Sequence, residues 1–393
     1  MRGDILGPLL RMAACGVLFD ALVPLAPFLA TQTGRTDAAV QAAIAMGITG
    51  FAVAQLGAAP WLRRIGLRAG MIISSACLVS LGLIVACLPR SGGALPLLVA
   101  MFLVNAPGSV AARAMLRNVL DHAGYQRAIG RLYAALEGFE IILPFVIIPA
   151  ARAFDWRMPF LGICLAVLAS IAPVCLRRHP VESRPRSSGQ RARSIARERD
   201  ILVPALLLML MQGSFTAVAL AKPAILLGPL RMTPPQLEKT LSGLALLTFA
   251  GFQAGSALTH AMSDQARIRL GLLLQCGAAV ALMLSAMAPD PLMFVGGCAL
   301  AALACCTLLP VLHALAIDMP GPERVDASAC LGFLQGAGSG VIVLLGSVLA
   351  LPPLTRLAST VTVCTVFALL IASAGLRNTG ERQSTQARQG HPP

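Results

Sequence analysis

Residues 177–200, RRHPVESRPRSSGQRARSIARERD, interrupt a chain that is otherwise rich in apolar residues. The segment holds eight arginines, two prolines and several serines. Such a composition cannot form a packed core and is typical of a solvated linker. Because it lies at the middle of the 393 residues, it divides the chain into two apolar parts of similar length.

The apolar parts have the composition of a membrane protein. Hydrophobic residues make up 57% of the chain and charged residues only 12%, against about 25% in soluble domains, and the mean hydropathy is +0.78. The apolar residues come in blocks long enough to cross a hydrocarbon core of about 30 Å. We therefore expect an all-α polytopic membrane protein whose twelve transmembrane helices cover 7–30, 38–61, 69–88, 94–113, 132–154, 158–176, 201–226, 240–262, 268–288, 291–317, 327–350 and 354–376.

The two parts also resemble each other. FAVAQLG at 51–57 recurs as FAGFQAG at 249–255, and both lie in the second predicted helix of a half. This repeat predicts a six-helix half at 1–176, the linker at 177–200, a second half at 201–376 and a tail at 377–393. Two halves related by an internal repeat are typical of secondary transporters.

The basic residues predict the orientation. With the N-terminus inside the cell, 22 basic loop residues fall on the inner side and 7 on the outer side. Cytoplasmic loops carry such an excess, so both termini and the linker are expected in the cytoplasm. The net charge of +14 then reflects topology and excludes nucleic acid as the expected partner. The eleven cysteines are dispersed without metal-ligand spacing and are expected to be small buried hydrophobes.

Several segments resemble the bicyclomycin-resistance (Bcr/CflA) exporters of the major facilitator superfamily. They are Asp20 with PLAPFLA, AAVQAAIAMGITGFAVAQLG, RRIGLRAG, ARAMLRNVL at 112–120, DWRMPFL at 155–161 and ACLGFLQGAGSG at 329–340. The resemblance implies the major facilitator fold and a proton-coupled antiporter for drugs or metabolites. It also implies a monomer in the bacterial inner membrane, whose partners are the bilayer, protons and a small molecule, with no cofactor and no enzymatic activity.

The chain departs from that family at three places. Arg63 occupies the position of an acid in the loop after the second helix. Met101 and Val104 replace an arginine and a glutamine in the fourth helix. The fifth helix keeps Pro144 but gains Glu137 and Glu140. These departures favour a dedicated substrate over generic multidrug export.

Asp20 is the first predicted site residue. A carboxylate inside a membrane helix is costly and is usually functional. The resemblance places this helix beside the central cavity, so Asp20 is expected to bind protons or substrate. The alternative is a packing aspartate paired with a neighbour.

Glu137, Glu140 and Lys222 are the other charged candidates. Glu137 and Glu140 are three residues apart and share a helix face. They are expected to bind a cationic group or protons, unless they are hydrated near a helix end. Lys222 aligns with Pro24 at the repeat offset of 198 residues. It is predicted to pair with Asp20 across the cavity, or else to extend toward the outer interface.

Polar residues in other helices are predicted to line the cavity or a gate. They are Arg113, His313, Gln55, Asn105, Gln212 and Gln253. For His313, a proton relay and a packed neutral histidine are both considered.

The sequence therefore predicts an exporter of a small organic molecule, driven by proton entry. Substrates considered are a metabolite such as a siderophore, or drugs such as chloramphenicol and bicyclomycin. The alternative is an importer of an organic acid with the same fold. No Walker-type phosphate loop is present to bind ATP.

Overall fold

The computed structural model describes residues 2–87, 93–153, 157–175, 199–319 and 323–389. These residues form twelve α-helices, which confirms the predicted helix number and fold class. The helices are α1 (Arg2–Thr33), α2 (Asp37–Ile65), α3 (Leu67–Cys87), α4 (Ala94–Val119), α5 (His122–Ala153), α6 (Arg157–Cys175), α7 (Arg199–Leu227), α8 (Pro234–Ala261), α9 (Asp264–Met287), α10 (Pro291–Ala316), α11 (Glu323–Ser347) and α12 (Pro353–Gln389). Most of the linker at 177–200 lies outside the described residues.

The helices pack as two equivalent halves. In the first half, α1 packs against α4, α5 and α6, α4 packs against α2 and α3, and α3 packs against α6. The second half repeats all six pairs, with α7 in the place of α1 and α10 in the place of α4. This correspondence agrees with the repeat seen in the sequence.

The halves meet along two matching seams. In one seam α5 packs against α8 and α10, and in the other α11 packs against α2 and α4. The repeat relates α5 to α11, so each seam is the counterpart of the other.

We call one end of the bundle the basic end. It carries the turns at Gly66, Leu120–Asp121 and Met262–Ser263, residues 317–319 after α10 and the start of α1. Gly66 has a φ of 90°, which favours glycine, and this lets α2 turn directly into α3. Ser263 begins α9 by accepting a hydrogen bond from the backbone N–H of Ala266 at 3.3 Å.

Several helices extend beyond the apolar blocks. Helix α5 begins at His122, ten residues before the predicted start, and α4 continues to Val119. Helix α12 reaches Gln389. These extensions carry polar residues, so hydropathy marks the membrane-spanning part but not the whole helix. Nine helices of the described part are long and apolar enough to cross a membrane.

Candidate functional site

Side chains from both halves meet near the basic end and close the bundle there. They form two layers. The inner layer is Gln55, Arg113, Tyr133, Phe252, His313, Ser328 and Gln335. The outer layer, nearer the loops, is Arg63, Arg117, His122, Gln126, Asp264, Arg267, Asp318 and Asp326.

Arg113 on α4 joins three helices in the inner layer. Its guanidinium donates to the Gln55 side chain of α2 within its own half. It also donates across the seam to the hydroxyl and the backbone carbonyl of Ser328, each at 3.2 Å. Ser328 in turn donates to the Val110 carbonyl at 3.2 Å. Arg113 and Gln55 are both buried, so this charged hydrogen-bond group holds α11 against α2 and α4.

Tyr133 on α5 occupies the other seam of the inner layer. Its ring stacks on Phe252 of α8, with centroids 5.5 Å apart. Its hydroxyl accepts a hydrogen bond from the Gln335 amide of α11 at 3.2 Å. The ring of buried His313 lies 6.1 Å away on α10. Tyr133 therefore contacts three helices of the opposite half.

His122 is the centre of the outer layer. It lies at the start of α5, ten residues before the predicted membrane-spanning segment. Its Nε2 lies 2.7 Å from an Asp264 oxygen, and its Nδ1 lies 3.5 Å from an Asp318 oxygen. Hydrogen bonds with Asp264 and Asp318 raise the pKa of His122 to about 9. The pKa of Asp318 is lowered, first by the hydrogen bond from His122 and also by Arg117. At neutral pH His122 is therefore a cation between two carboxylates of the other half.

Further pairs extend the outer layer across both seams. Arg63 of α2 pairs with Asp326 of α11, and Arg117 of α4 pairs with Asp318. Gln126 of α5 donates to Asp264 at 2.9 Å and accepts from buried Arg267. Arg63 is the residue that replaces an acid of the resembled family, and its partner here is itself an acid.

The two predicted glutamates of α5 have different surroundings. Glu137 is half-buried and lies within electrostatic range of Cys305 and Cys306 on α10 of the other half. It is one helical turn beyond Tyr133, on the side away from the basic end. Glu140 is exposed. The glutamate that lies at the seam is therefore Glu137.

Asp20 and Lys222 remain predictions as a pair. Asp20 lies within α1, and its side chain falls outside the described part of the chain. Lys222 lies on α7, is half-buried and is within electrostatic range of Cys298 on α10.

The remaining predicted residues divide between the halves. Asn105 is buried within the first half, where it accepts from Arg11 at 2.5 Å and donates to Cys15 at 3.0 Å. Gln212 is half-buried on α7, and Gln253 is exposed on α8. Gln253 thus differs from its repeat counterpart Gln55, which is buried in the inner layer.

Arg11 was not among the residues predicted from the sequence. It is fully buried in α1 and donates to Ser75 at 2.8 Å, to Ser74 at 3.4 Å and to Asn105. These partners place the charge between α1, α3 and α4. A single arginine inside the first apolar block was the available signal.

The outer layer was also missed, because its arginines were interpreted only as topology signals. The available signal was the recurrence of acids shortly before predicted helices, Asp264 and Asp326, at the same end as those arginines. Among the described residues, no group of histidine, cysteine and acidic side chains is arranged to hold a metal ion.

Comparisons with solved structures agree on the fold. A bacterial homologue of the iron transporter ferroportin in the outward-facing state is 14% identical, with a TM-score of 0.76 over 95% of this chain and 99% of that chain. The E. coli fucose:proton symporter FucP is 15% identical, with a TM-score of 0.71 over 94% and 98%. The human organic anion transporter TETRAN is 16% identical, with a TM-score of 0.72 over 94% and 98%.

Sequence comparisons give the family. No curated protein matches the chain. Residues 10–295, well over half of the chain, match the Major Facilitator Superfamily. With the twelve helices in two equivalent halves, this match shows that the chain belongs to the Major Facilitator Superfamily of membrane transporters.

Proposed function

We propose that this transporter exports a small organic molecule in exchange for protons. The observation that carries the proposal is the position of Glu137. It is a half-buried carboxylate at the seam between the halves, beside α10 and one turn beyond the inner layer. A carboxylate within a membrane bundle is costly to maintain and usually marks an ion or substrate path. The resemblance to bicyclomycin-resistance exporters favours export as the direction.

In the proposed cycle the two layers act as the cytoplasmic gate. With the N-terminus in the cytoplasm, the present conformation is closed on the cytoplasmic side. Separation of the seams would admit substrate from the cytoplasm, and their closure would direct it outward, as alternating access requires. Proton binding to Glu137 or Asp20 would couple the two movements, because the charge of either carboxylate changes the cost of closing the apolar seam around it.

The proposed substrate is a dedicated metabolite such as a siderophore. Drugs such as chloramphenicol or bicyclomycin are the other substrates considered. We further propose that the protein acts as a monomer in the bacterial inner membrane, with both termini in the cytoplasm. The excess of arginine at the basic end supports this orientation.

A second candidate is import of an organic acid. It is favoured by Lys222 and by Arg113, whose described hydrogen-bond acceptors, Gln55 and Ser328, are neutral. Both cations would suit a carboxylate substrate entering the space between the halves.

Everted membrane vesicles test direction and coupling. Vesicles acidified inside should accumulate the exported compound, and a protonophore should stop the accumulation. Candidate compounds come from comparing the metabolites secreted by wild-type and deletion strains. Unchanged transport after collapse of both the pH gradient and the potential would contradict proton coupling.

Two matched variants test the carboxylate. Glu137→Gln should abolish proton-driven accumulation while retaining exchange of substrate down its own gradient. Glu140→Gln, on the same helix but exposed, should retain most of the coupled transport. Equal losses of coupled transport in both variants would show that the position of Glu137 at the seam is not required for proton coupling.

A further inference from the structure

A groove between α1 and α5 lies at the basic end, on the opposite side of α5 from the inner layer contacts of Tyr133. Its volume is about 400 Å³. The walls are mainly apolar. They come from Ile5, Leu9, Leu10 and Ala13 of α1, from Leu120 in the turn that follows α4, and from Ala128, Leu132 and Ala135 of α5. Arg127 and Arg131 are the charged members of the lining, as far as the structure describes it.

The two arginines are arranged to bind one anionic group. Residues four apart on a helix lie on the same face, so Arg127 and Arg131 are adjacent along the groove. Arg131 is exposed. Arg127 donates to the Ala123 carbonyl at 3.3 Å and lies 2.9 Å from His260 of α8, so neither of these described partners is an acid. Among the lining residues that the structure describes, none is a carboxylate.

The position of the groove in the bilayer specifies its ligand. Arg127 and Arg131 precede the predicted membrane-spanning segment of α5, which begins at residue 132, and so lie at headgroup depth. Leu132 and Ala135 continue the groove toward the hydrocarbon core. A ligand that fits both the arginine pair and the apolar walls has an anionic head and an apolar chain. We propose that the groove between α1 and α5 binds an anionic phospholipid, with its phosphate at Arg127 and Arg131 and an acyl chain between the two helices.

The bound lipid would also act on the seam. Arg127 contacts His260 at the end of α8, so the lipid phosphate would lie beside the junction of the two halves. A phosphate at Arg127 would also lie close to His260, because the two side chains are 2.9 Å apart. Separation of α5 from α8 would break this contact, so the lipid is expected to stabilise the conformation that is closed at the basic end.

Native mass spectrometry of the full-length protein in detergent can measure this binding directly. The probes are phosphatidylglycerol, phosphatidylcholine with the same acyl chains, and inorganic phosphate. We expect phosphatidylglycerol to be retained, and phosphatidylcholine and inorganic phosphate to bind much more weakly. Retention of phosphatidylcholine at the same level would overturn the charge requirement, and retention of inorganic phosphate alone would overturn the lipid as ligand.

Three variants locate the site. Arg127→Gln/Arg131→Gln should weaken retention of phosphatidylglycerol by about 25-fold, from about five-fold for each basic residue near a membrane surface. Arg64→Gln/Arg269→Gln removes two exposed arginines from the same end but outside the groove, and should retain the lipid within about two-fold. Ala135→Trp fills an exposed part of the groove without changing charge, and should reduce retention as well.

The outcomes distinguish a specific lipid site in the groove from a general attraction of anionic lipid to basic residues at this end. Equal losses in the two double variants would overturn the proposal, as would full retention by Ala135→Trp together with Arg127→Gln/Arg131→Gln. Elution as a monodisperse species and an unchanged melting temperature without lipid serve as folding controls for each variant. The experiment measures retention of lipid and not transport, so its result does not depend on the proposed export function.

Discussion

Asp20 and Lys222 carry opposite charges on α1 and α7, the first helices of the two halves. We predict that they interact in at least one state of the transport cycle. Asp20→Asn should abolish coupled transport, and Lys222→Met should impair it. Removal of one member of a buried pair typically costs about 3–5 kcal/mol, and less in a wet cavity. The double variant should therefore be more stable than the sum of the two single losses predicts.

The double-mutant cycle is measured by thermal unfolding of the purified variants. Strictly additive losses would show that the two residues do not interact. Lys222→Arg is the control, because it retains the positive charge on α7. Normal coupled transport by Asp20→Asn would transfer the proposed proton site to Glu137.

His122 should make the closed conformation sensitive to alkaline pH. Its pKa is raised from an ordinary value of about 6.5 to about 9 by the carboxylates of the opposite half. The stabilisation it provides is then complete below about pH 6.5 and is lost as the pH rises through about 9. The melting temperature of the wild type should fall across this interval more than that of His122→Gln.

The comparison between the two proteins isolates the histidine from other alkaline effects. Arg117→Gln, which weakens the contact with Asp318 but keeps His122, should retain most of the alkaline loss. Parallel pH profiles of the wild type and His122→Gln would contradict the assignment.

Residue chemistry could be predicted only where a single side chain was unusual. Asp20, Glu137 and Lys222 are recognisable because each is an ionisable residue inside an apolar block. Arg117 and Asp318 both fall in loops predicted from the sequence, and only the packing of the two halves makes them partners. Partners 201 residues apart cannot be matched from spacing in one sequence.

The glycines of α11 should differ in their tolerance to substitution, because only part of this helix packs tightly against the first half. A Cβ atom at Gly332 would overlap the side chains of Gln55 and Arg113, whereas a Cβ at Gly340 would meet nothing within 4 Å. Gly332→Leu should therefore separate α11 from α2 and α4 at the basic end. Gly340→Leu, on the same helix, is the matched control.

Hydrogen–deuterium exchange measures this separation without labels. We expect Gly332→Leu to increase exchange at the end of α4 and the start of α11, and to shift the protein away from the closed conformation. Gly340→Leu should exchange like the wild type. The same exchange pattern in all three proteins would show that the seam adapts to the larger side chain.

Hydropathy predicted the positions of the helices along the chain, but not the residues at which the helices begin and end. A search for apolar blocks does not detect the polar first turns of α5, which contain His122 and Gln126 of the outer layer. The ends of membrane helices are determined by packing and capping in water, where polar residues are accepted. His122 and Gln126 were missed for that reason, whereas the arginines of the outer layer were interpreted only as topology signals.

The two halves are expected to hold together without the linker. The seams contain the hydrogen bonds of Arg113 and the stacking of Tyr133 on Phe252, and the outer layer adds ion pairs. A protease site inserted within 177–198 should allow complete cleavage in the folded protein. The two fragments should then co-elute and keep transport activity.

Cleavage before purification tests the linker as a tether. Separation of the fragments in mild detergent would show that the linker supplies part of the association. An uncleaved protein with the same insertion is the control for the insertion itself. Replacement of four linker arginines by serine should disturb insertion, since it lowers the positive charge on the side that we propose to be cytoplasmic.

The six-plus-six arrangement could be predicted from the linker and the short repeat at FAVAQLG and FAGFQAG. The conformation could not. Closure at the basic end depends on pairs such as Arg63 with Asp326, and a transporter must break such pairs in each cycle. A sequence that encodes two conformations contains the contacts of both, and the order of its residues does not separate them.

Arg11 has a consequence for how the protein is made. An arginine within a membrane helix costs about 2.5–3.5 kcal/mol on insertion scales, and its acceptors on α3 and α4 are synthesised later. Asn105 follows it by 94 residues. As α1 leaves the ribosome, the Arg11 guanidinium has no hydrogen-bond acceptor from those helices. The insertion of α1 alone into lipid is therefore unfavourable. We expect α1 to remain beside the insertion machinery until α4 arrives, so that the first four helices enter the bilayer together.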